Sequence, residues 1–164
     1  MEEPFYIQNW FLDNVQECLK PIRKFLELKG RGKKAGGFLY FLIIQEEIEL
    51  SILLPIGEVD PNKAAAFKNV CGEKAARLLQ HKAHLSSWQS REPDSNKWGG
   101  AIRIKNGILS VSGLTELGDE AYCLYLAWLL GKVTIEELDA IASISNNPYW
   151  PEVGRMYIPT MVKS

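Results

Sequence analysis

The chain predicts an α+β layered domain: a mainly antiparallel sheet of about five strands flanked by helices, in the order α-β-β-α-β-β-β-α-α. Three observations carry this expectation. Two alternating apolar runs meet at Asn106-Gly107 inside GGAIRIKNGILSVSGLTELGDE, residues 99–120. Asn-Gly between such runs is the strongest short-range hairpin signal, because both central residues of a type I′ turn need positive φ. A second pair of apolar runs, FLYFLIIQ (38–45) and IELSILL (48–54), is separated only by Glu46-Glu47. Before, between and after these pairs, apolar residues recur at spacings of three and four, the period of helices that cover a sheet.

The first helical element spans about Ile7 to Lys29. Phe11, Val15, Cys18, Ile22 and Phe25 form one stripe. Pro21 interrupts it, and proline costs roughly 3 kcal/mol inside a helix, so a kink or two helices meeting near Lys20 is expected. Gly30 and Gly32 end the element. FLYFLIIQ is apolar on both alternating faces, which suits a central strand covered on both sides. In the next run Ile48, Leu50, Ile52 and Leu54 alternate with Glu49, Ser51 and Leu53, the pattern of a half-buried strand. Glu46-Glu47 makes a poor primed turn, so a longer or bulged loop is expected there. As consecutive strand-end residues point opposite ways, the two carboxylates read as a solvated turn rather than an acid–base pair.

Asp60 and Pro61 open a helix as N-cap and first helical residue. It runs to about Lys82, with Ala64, Phe67, Cys71, Ala75, Leu78 and Leu79 on one side. Gly72 weakens its middle by roughly 1 kcal/mol relative to alanine, and its small size would permit close approach of another backbone. Residues 84–97 are polar. Ser86, Ser87, Trp88 and Gln89 are expected as a short edge strand, and Arg91 to Lys97 as a loop flanked by Trp88 and Trp98. Aromatics beside such a loop mark either a binding surface or the rim of the core.

A type I′ turn at Asn106-Gly107 would pair Ile104 with Leu109 and Ile102 with Val111. Ile102, Ile104, Leu109 and Val111 then share a core face. Arg103, Lys105, Ser110 and Ser112 share the other with Ala101 and Ile108, facing water, a ligand or a partner. A helix follows over about Glu116 to Leu130, ended by Gly131. Asp119 and Glu120 in its first turn complement the helix dipole by a few tenths to 1 kcal/mol. Thr134 and Glu137 form a capping box for a last helix to about Ser145, burying Ile135, Leu138, Ile141 and Ile144. Residues 146–164 are expected as an extended C-terminal segment, docked on the surface or reaching another subunit.

At 164 residues, residues 1–164 form a single domain by default, and 46% apolar content allows a sizeable core. A net charge of −1 argues against a nucleic-acid binder. The basic cluster Lys29, Arg31, Lys33 and Lys34 reads as a solvated loop or a local anion contact. MEEPFYIQNW lacks the basic and apolar regions of a signal peptide, and no apolar run reaches membrane-spanning length. A soluble, cytoplasmic protein with no membrane partner is expected. Cys18, Cys71 and Cys123 lie in helical patterns without a CxxC pair, as buried reduced thiols do. His81 and His84, at i and i+3, could share a helix face, but no third metal ligand has suitable spacing. Nothing matches a nucleophile elbow, a P-loop, a GxGxxG turn or a zinc-hydrolase pattern. No catalytic or metal-ligating residue is assigned.

The run from Gly107 to Gly113, GILSVSG, followed by Asp119-Glu120, resembles the signature of the GlcG/HbpS-like family. Gly107, Val111, Ser112, Gly113, Asp119 and Glu120 fit that pattern, as does the preceding Gly99-Gly100. Ile108 and Ser110 replace smaller residues, and Glu46-Glu47 stands where the family carries an Asp/Gly-rich turn. The resemblance implies a profilin-like domain, a homo-oligomer and company with heme, corrinoids or glycolate utilisation. Ser112, Gly113 and Thr115 would line a pocket where backbone amides meet a carboxylate or phosphate. His81 or His84 would supply an axial heme ligand, with Trp88 and Trp98 as the aromatic rim. The expectation is a non-enzymatic small-ligand-binding or sensory module, with heme or corrinoid as candidate cofactor. Two alternatives stay open: an enzyme or enzyme accessory acting on a small organic acid or corrinoid, and an adaptor without a ligand.

Overall fold

A computed structural model describes the backbone of residues 4–150 and the side chains of residues 11–150. Among the described residues the main elements follow one another as α1 (Pro4–Glu17), α2 (Leu19–Leu28), β1 (Gly36–Gln45), β2 (Ile48–Gly57), α3 (Ala64–Gln80), β3 (Ala101–Ile104), β4 (Gly107–Ser112), α4 (Glu116–Leu129) and α5 (Ile135–Ser145). The sheet is antiparallel throughout, in the order β2-β1-β4-β3. The α+β layering is as expected, but among the described residues the sheet has four strands rather than five. The expected edge strand at Ser86–Gln89 is a 3₁₀ helix, Ser87–Ser90, with a single bridge from Ser86 to Ile102. Ser86 caps that turn, and its side chain takes the Trp88 amide. Serine's local hydrogen bonding thus wins over strand pairing.

Helix α3 covers one face of the sheet, where Ala75 and Leu78 pack on Leu42, Ala101 and Ile108. Helices α1, α2, α4 and α5 build the core on the other face, over Leu39, Phe41, Ile56, Ile102, Ile104, Leu109 and Val111. Both faces of β3 and β4 are therefore covered, so the expected ligand- or water-facing side is buried. Ser110 gives its hydroxyl to the Cys71 carbonyl at 2.7 Å. The stripe Phe11, Val15, Cys18, Ile22 and Phe25 is buried as expected. Its break falls at Cys18, which places Pro21 in the first turn of α2, where a missing N–H is tolerated.

The hairpin forms in a register shifted by two. Ile104 pairs with Gly107, Ile102 with Leu109 and Ala101 with Ser110. Lys105-Asn106 are the loop, with Asn106 alone at positive φ (60°). A shift of two preserves every face assignment, because side chains alternate with period two. Gly107 is paired strand rather than turn. A Cβ on it would lie 2.2 Å from the Leu42 carbonyl oxygen, so close approach of β1 excludes any side chain. The β1–β2 loop is also shorter than expected: Gln45 pairs with Ile48, and Glu46 takes φ 58°.

Other expectations change as well. Helix α3 starts at Ala64, after a turn in which the Asp60 carboxylate takes the Asn62 amide (2.9 Å). Gly72 faces open space: a Cβ added there would have nothing within 4 Å, so no neighbour requires a glycine. Ile135 is exposed while Leu138 and Ile141 are buried. Thr134 caps α5 by accepting the Glu137 amide at 3.2 Å, and the Glu137 carboxylate returns to the Thr134 hydroxyl rather than to its amide. Of the C-terminal segment, residues 146–150 are described and 151–164 lie outside the described residues. Tyr149 and Trp150 do not rest on the surface; both are buried in the main core.

Candidate functional site

The site grows from the end of β4. Ser112 is followed by Gly113 at φ 130°, where a Cβ would meet the Gly37 backbone at 2.5 Å. The chain leaves the sheet there, and Thr115 caps α4 by accepting the Gly118 amide at 3.0 Å. The expected free amides are partly used: Leu114 N–H donates to Asp119 Oδ1 at 2.9 Å.

Asp119 and Glu120 face the interior, not solvent, so their role is larger than a complement to the helix dipole. Asp119 Oδ2 lies 3.1 Å from Lys74 Nζ, which also donates to the Val111 carbonyl at 2.7 Å. Both side chains are buried. Burial pushes the Asp119 carboxyl up to about 6, against the opposing pull of Lys74 and the Leu114 amide. Glu120 points elsewhere and accepts from Ser86 Oγ (2.7 Å), Asn147 Nδ2 (3.1 Å) and Ser145 Oγ. Burial raises its pKa too, opposed by these three donors. Glu120 therefore ties the start of the 3₁₀ turn and the end of α5 to α4.

Above the Lys74–Asp119 pair opens a cleft of about 860 Å³, between the α2–β1 loop, α3, the β4–α4 turn and Pro148-Tyr149. Its aromatic walls are Phe25, Phe67, Trp88, Trp98 and Tyr149. Tyr149 meets Phe25 edge to face with ring centroids 4.4 Å apart. Lys29, Arg31 and Lys34 contribute cations. Among the described residues none of these three makes an ion pair, though Lys29 Nζ stands 5.2 Å from the Phe25 ring.

The carboxylates of the cleft are already engaged. Asp119 faces Lys74, and Glu116 grips Arg91 through two bonds of 2.7 and 2.8 Å and takes the Gly99 amide at 2.9 Å. Burial opposes ionisation of Glu116, but Arg91 and the Gly99 amide hold its pKa below the usual carboxylate value. The Arg91 guanidinium stands 4.8 Å from the Trp88 ring and 5.7 Å from the Trp98 ring. Among the described residues, the charge left without an ion-pair partner on the cleft walls is thus positive.

Of the residues singled out from sequence, Ser112, Gly113, Thr115, Trp88 and Trp98 line this cleft together. His81 and His84 do not. Helix α3 ends at Gln80, so the two histidines do not share its face. Their rings stack at 4.6 Å beyond its end. Among the described residues no group of three or more His, Cys, Asp or Glu is placed to hold a metal ion. Sequence reasoning missed Lys74, Arg91, Glu116 and Tyr149. Lys74 had a signal: it follows Cys71 by three and precedes Leu78 by four, so a charge sits on an apolar stripe and requires a buried partner. Comparison of the chain with protein-family models, with curated proteins and with solved structures finds no match.

Proposed function

We propose that this protein is a small-ligand-binding or sensory module whose cleft takes an anionic ligand with a flat apolar body. One observation carries the reading: Lys29, Arg31 and Lys34 lack carboxylate partners among the described residues while lining a cleft with five aromatic side chains. Clefts of this size commonly hold small organic molecules, with a few charged groups fixing orientation. The aromatic faces accept a planar ring, and the cations accept its carboxylates or phosphate. Hemin and corrinoids are candidates of this chemistry. No histidine lines the cleft, so a tetrapyrrole there is held by stacking and charge rather than by histidine ligation. The profilin-like and GlcG/HbpS-like kinship, the homo-oligomer and the cytoplasmic location belong to the same reading. Within that reading, the strand–turn–helix of Gly107 to Glu120 supports the kinship alone. No described helix is long and apolar enough to cross a membrane.

Titration with hemin and with cobalamin, followed by absorbance and tryptophan fluorescence, tests the proposal. Hemin is expected to shift its Soret band and quench fluorescence at micromolar concentration. Lys34→Glu should weaken binding about tenfold, the effect of reversing one close charge at a half-buried position. Trp98→Ala should weaken it less, and His81→Ala should leave it unchanged. If the Soret band keeps its free form and fluorescence is unaffected at 100-fold excess of either ligand over protein, tetrapyrroles are excluded. If an aromatic dicarboxylate also fails to quench, the anionic-ligand reading falls with them.

A further inference from the structure

Strand β2 is an edge strand, and the sheet's hydrogen-bond alternation fixes which of its main-chain groups face outward. Ile44 N–H donates to the Asn106 carbonyl at 2.7 Å, so even-numbered residues of β1 turn toward β4 and odd-numbered ones toward β2. The partners of those odd-numbered residues are Ile48, Leu50, Ile52, Leu54 and Ile56. The odd-numbered residues of β2 therefore direct their N–H and C=O groups away from the sheet. Two further contacts agree. Gln16 donates to the Pro55 carbonyl at 3.3 Å and accepts the Gly57 amide at 3.1 Å, from outside the ladder. Pro55, with no N–H to give, also occupies an outward position, where a strand tolerates it.

Gln16 thus satisfies the far end of the edge, and among the described residues nothing bonds the outward groups of Glu49, Ser51 and Leu53. They are placed symmetrically about Ser51. On the sheet face of Phe41 and Ile43, the side chains of Ile48 (61% exposed), Leu50 (60%) and Ile52 (38%) form an apolar stripe. No lysine interrupts the strand, although lysine is a common device for keeping edges apart.

We infer that β2 is a self-association edge: two copies of this chain pair antiparallel through β2, centred on Ser51. In that register Ser51 faces Ser51 of the second copy and Glu49 faces Leu53. About six main-chain hydrogen bonds form from the open groups. Leu50 faces Ile52 and Ile48 faces Leu54, so the two apolar stripes merge into one. Glu49 of one copy stays away from Glu49 of the other, and Pro55 lies beyond the paired stretch. The occupant is a second copy because pairing about Ser51 uses the outward groups of Glu49, Ser51 and Leu53 together, covers the exposed side chains of Ile48, Leu50 and Ile52 on both chains, and sets each Glu49 against Leu53 rather than against the other Glu49. This pairing rests on the homo-oligomer of the functional reading but not on the cleft, so a monomeric chain leaves the ligand proposal standing and an empty cleft leaves the pairing standing.

Sedimentation velocity of the full chain between 10 and 100 μM, together with cysteine cross-linking, tests the inference. The wild type is expected to sediment as a dimer. Ser51→Pro removes the central outward N–H without touching the bonds to β1, and should raise the dissociation constant at least tenfold. Ser51→Cys should form a disulfide-linked dimer under mild oxidation, because facing Cα atoms of a hydrogen-bonded pair stand about 5.5 Å apart, within disulfide reach. The three native cysteines are buried and add no background. Glu49→Cys should not link, as its two copies would stand about four residues apart along the strand, on the order of 13 Å. A wild type that stays monomeric throughout, or a Ser51→Cys chain that does not cross-link, overturns the proposal.

Discussion

Lys74 and Asp119 couple stability to pH through one buried contact. The Asp119 carboxyl titrates near 6 in the folded protein against an ordinary value of 3.8. A folded pKa above the unfolded one means the folded state binds more protons between these values. The stabilisation from this group is complete below about 3.8 and is lost as pH rises through about 6. Lys74→Met removes the compensating charge and leaves Asp119 buried alone above pH 6, at a cost of about 3–5 kcal/mol. Protonation of Asp119 relieves part of that cost. Urea unfolding should therefore show a deficit for Lys74→Met that is large at pH 7.5 and smaller at pH 5. A deficit independent of pH would assign the loss to packing alone. In the sequence, Lys74 stands out only as a charge on an apolar stripe. The identity of its partner, 45 residues away, depends on which helix crosses which strand, and no local pattern encodes that.

The elements themselves are largely legible, because each rests on a local periodicity or cap. The stripe of α1 and α2, the central position of β1, and the caps at Thr134 and Gly131 follow from short-range chemistry. Registers and the roles of glycines are less legible, since they depend on a neighbour absent from the local pattern. Asn106-Gly107 reads as a turn, yet only Asn106 turns; Gly107 is small because β1 passes against it. Gly72 reads as a packing requirement, yet nothing approaches it. The two sites make opposite predictions. Gly72→Ala should stabilise α3 by about 0.5–1 kcal/mol, seen as a higher thermal midpoint. Gly107→Ala places a methyl 2.2 Å from a carbonyl oxygen and should abolish cooperative unfolding in the same assay. Equal midpoints for both variants would contradict these roles for the two glycines.

The layers meet where the chain closes on itself. Residues 147–150 follow α5, and they complete the core. Asn147 bonds to Glu120 and to the Leu117 carbonyl, and Trp150 is buried with its indole N–H on Asp139 at 3.0 Å. Trp150→Ala should cost about 3–5 kcal/mol, the range for emptying a large buried aromatic site, and calorimetry would read it as a lower unfolding temperature. An unchanged temperature would show that this closure contributes little. The cleft draws on five separate stretches of chain, which explains its partial legibility. Trp88, Trp98, Ser112, Gly113 and Thr115 could be nominated from loop chemistry and a family-like turn. Tyr149 and Phe25 could not, because nothing in an aromatic tail or a helix stripe says that the two meet.

Cys18, Cys71 and Cys123 lie at the α1–α2 junction, in α3 and in α4, each buried, with burial raising all three pKa values, that of Cys71 to about 11. A thiol that is both shielded and protonated reacts with alkylating reagents only after its surroundings open. The native protein therefore carries a reporter in each helical layer. Timed labelling followed by peptide mapping would reveal which layer comes apart first, with no added probe and no change to the chain.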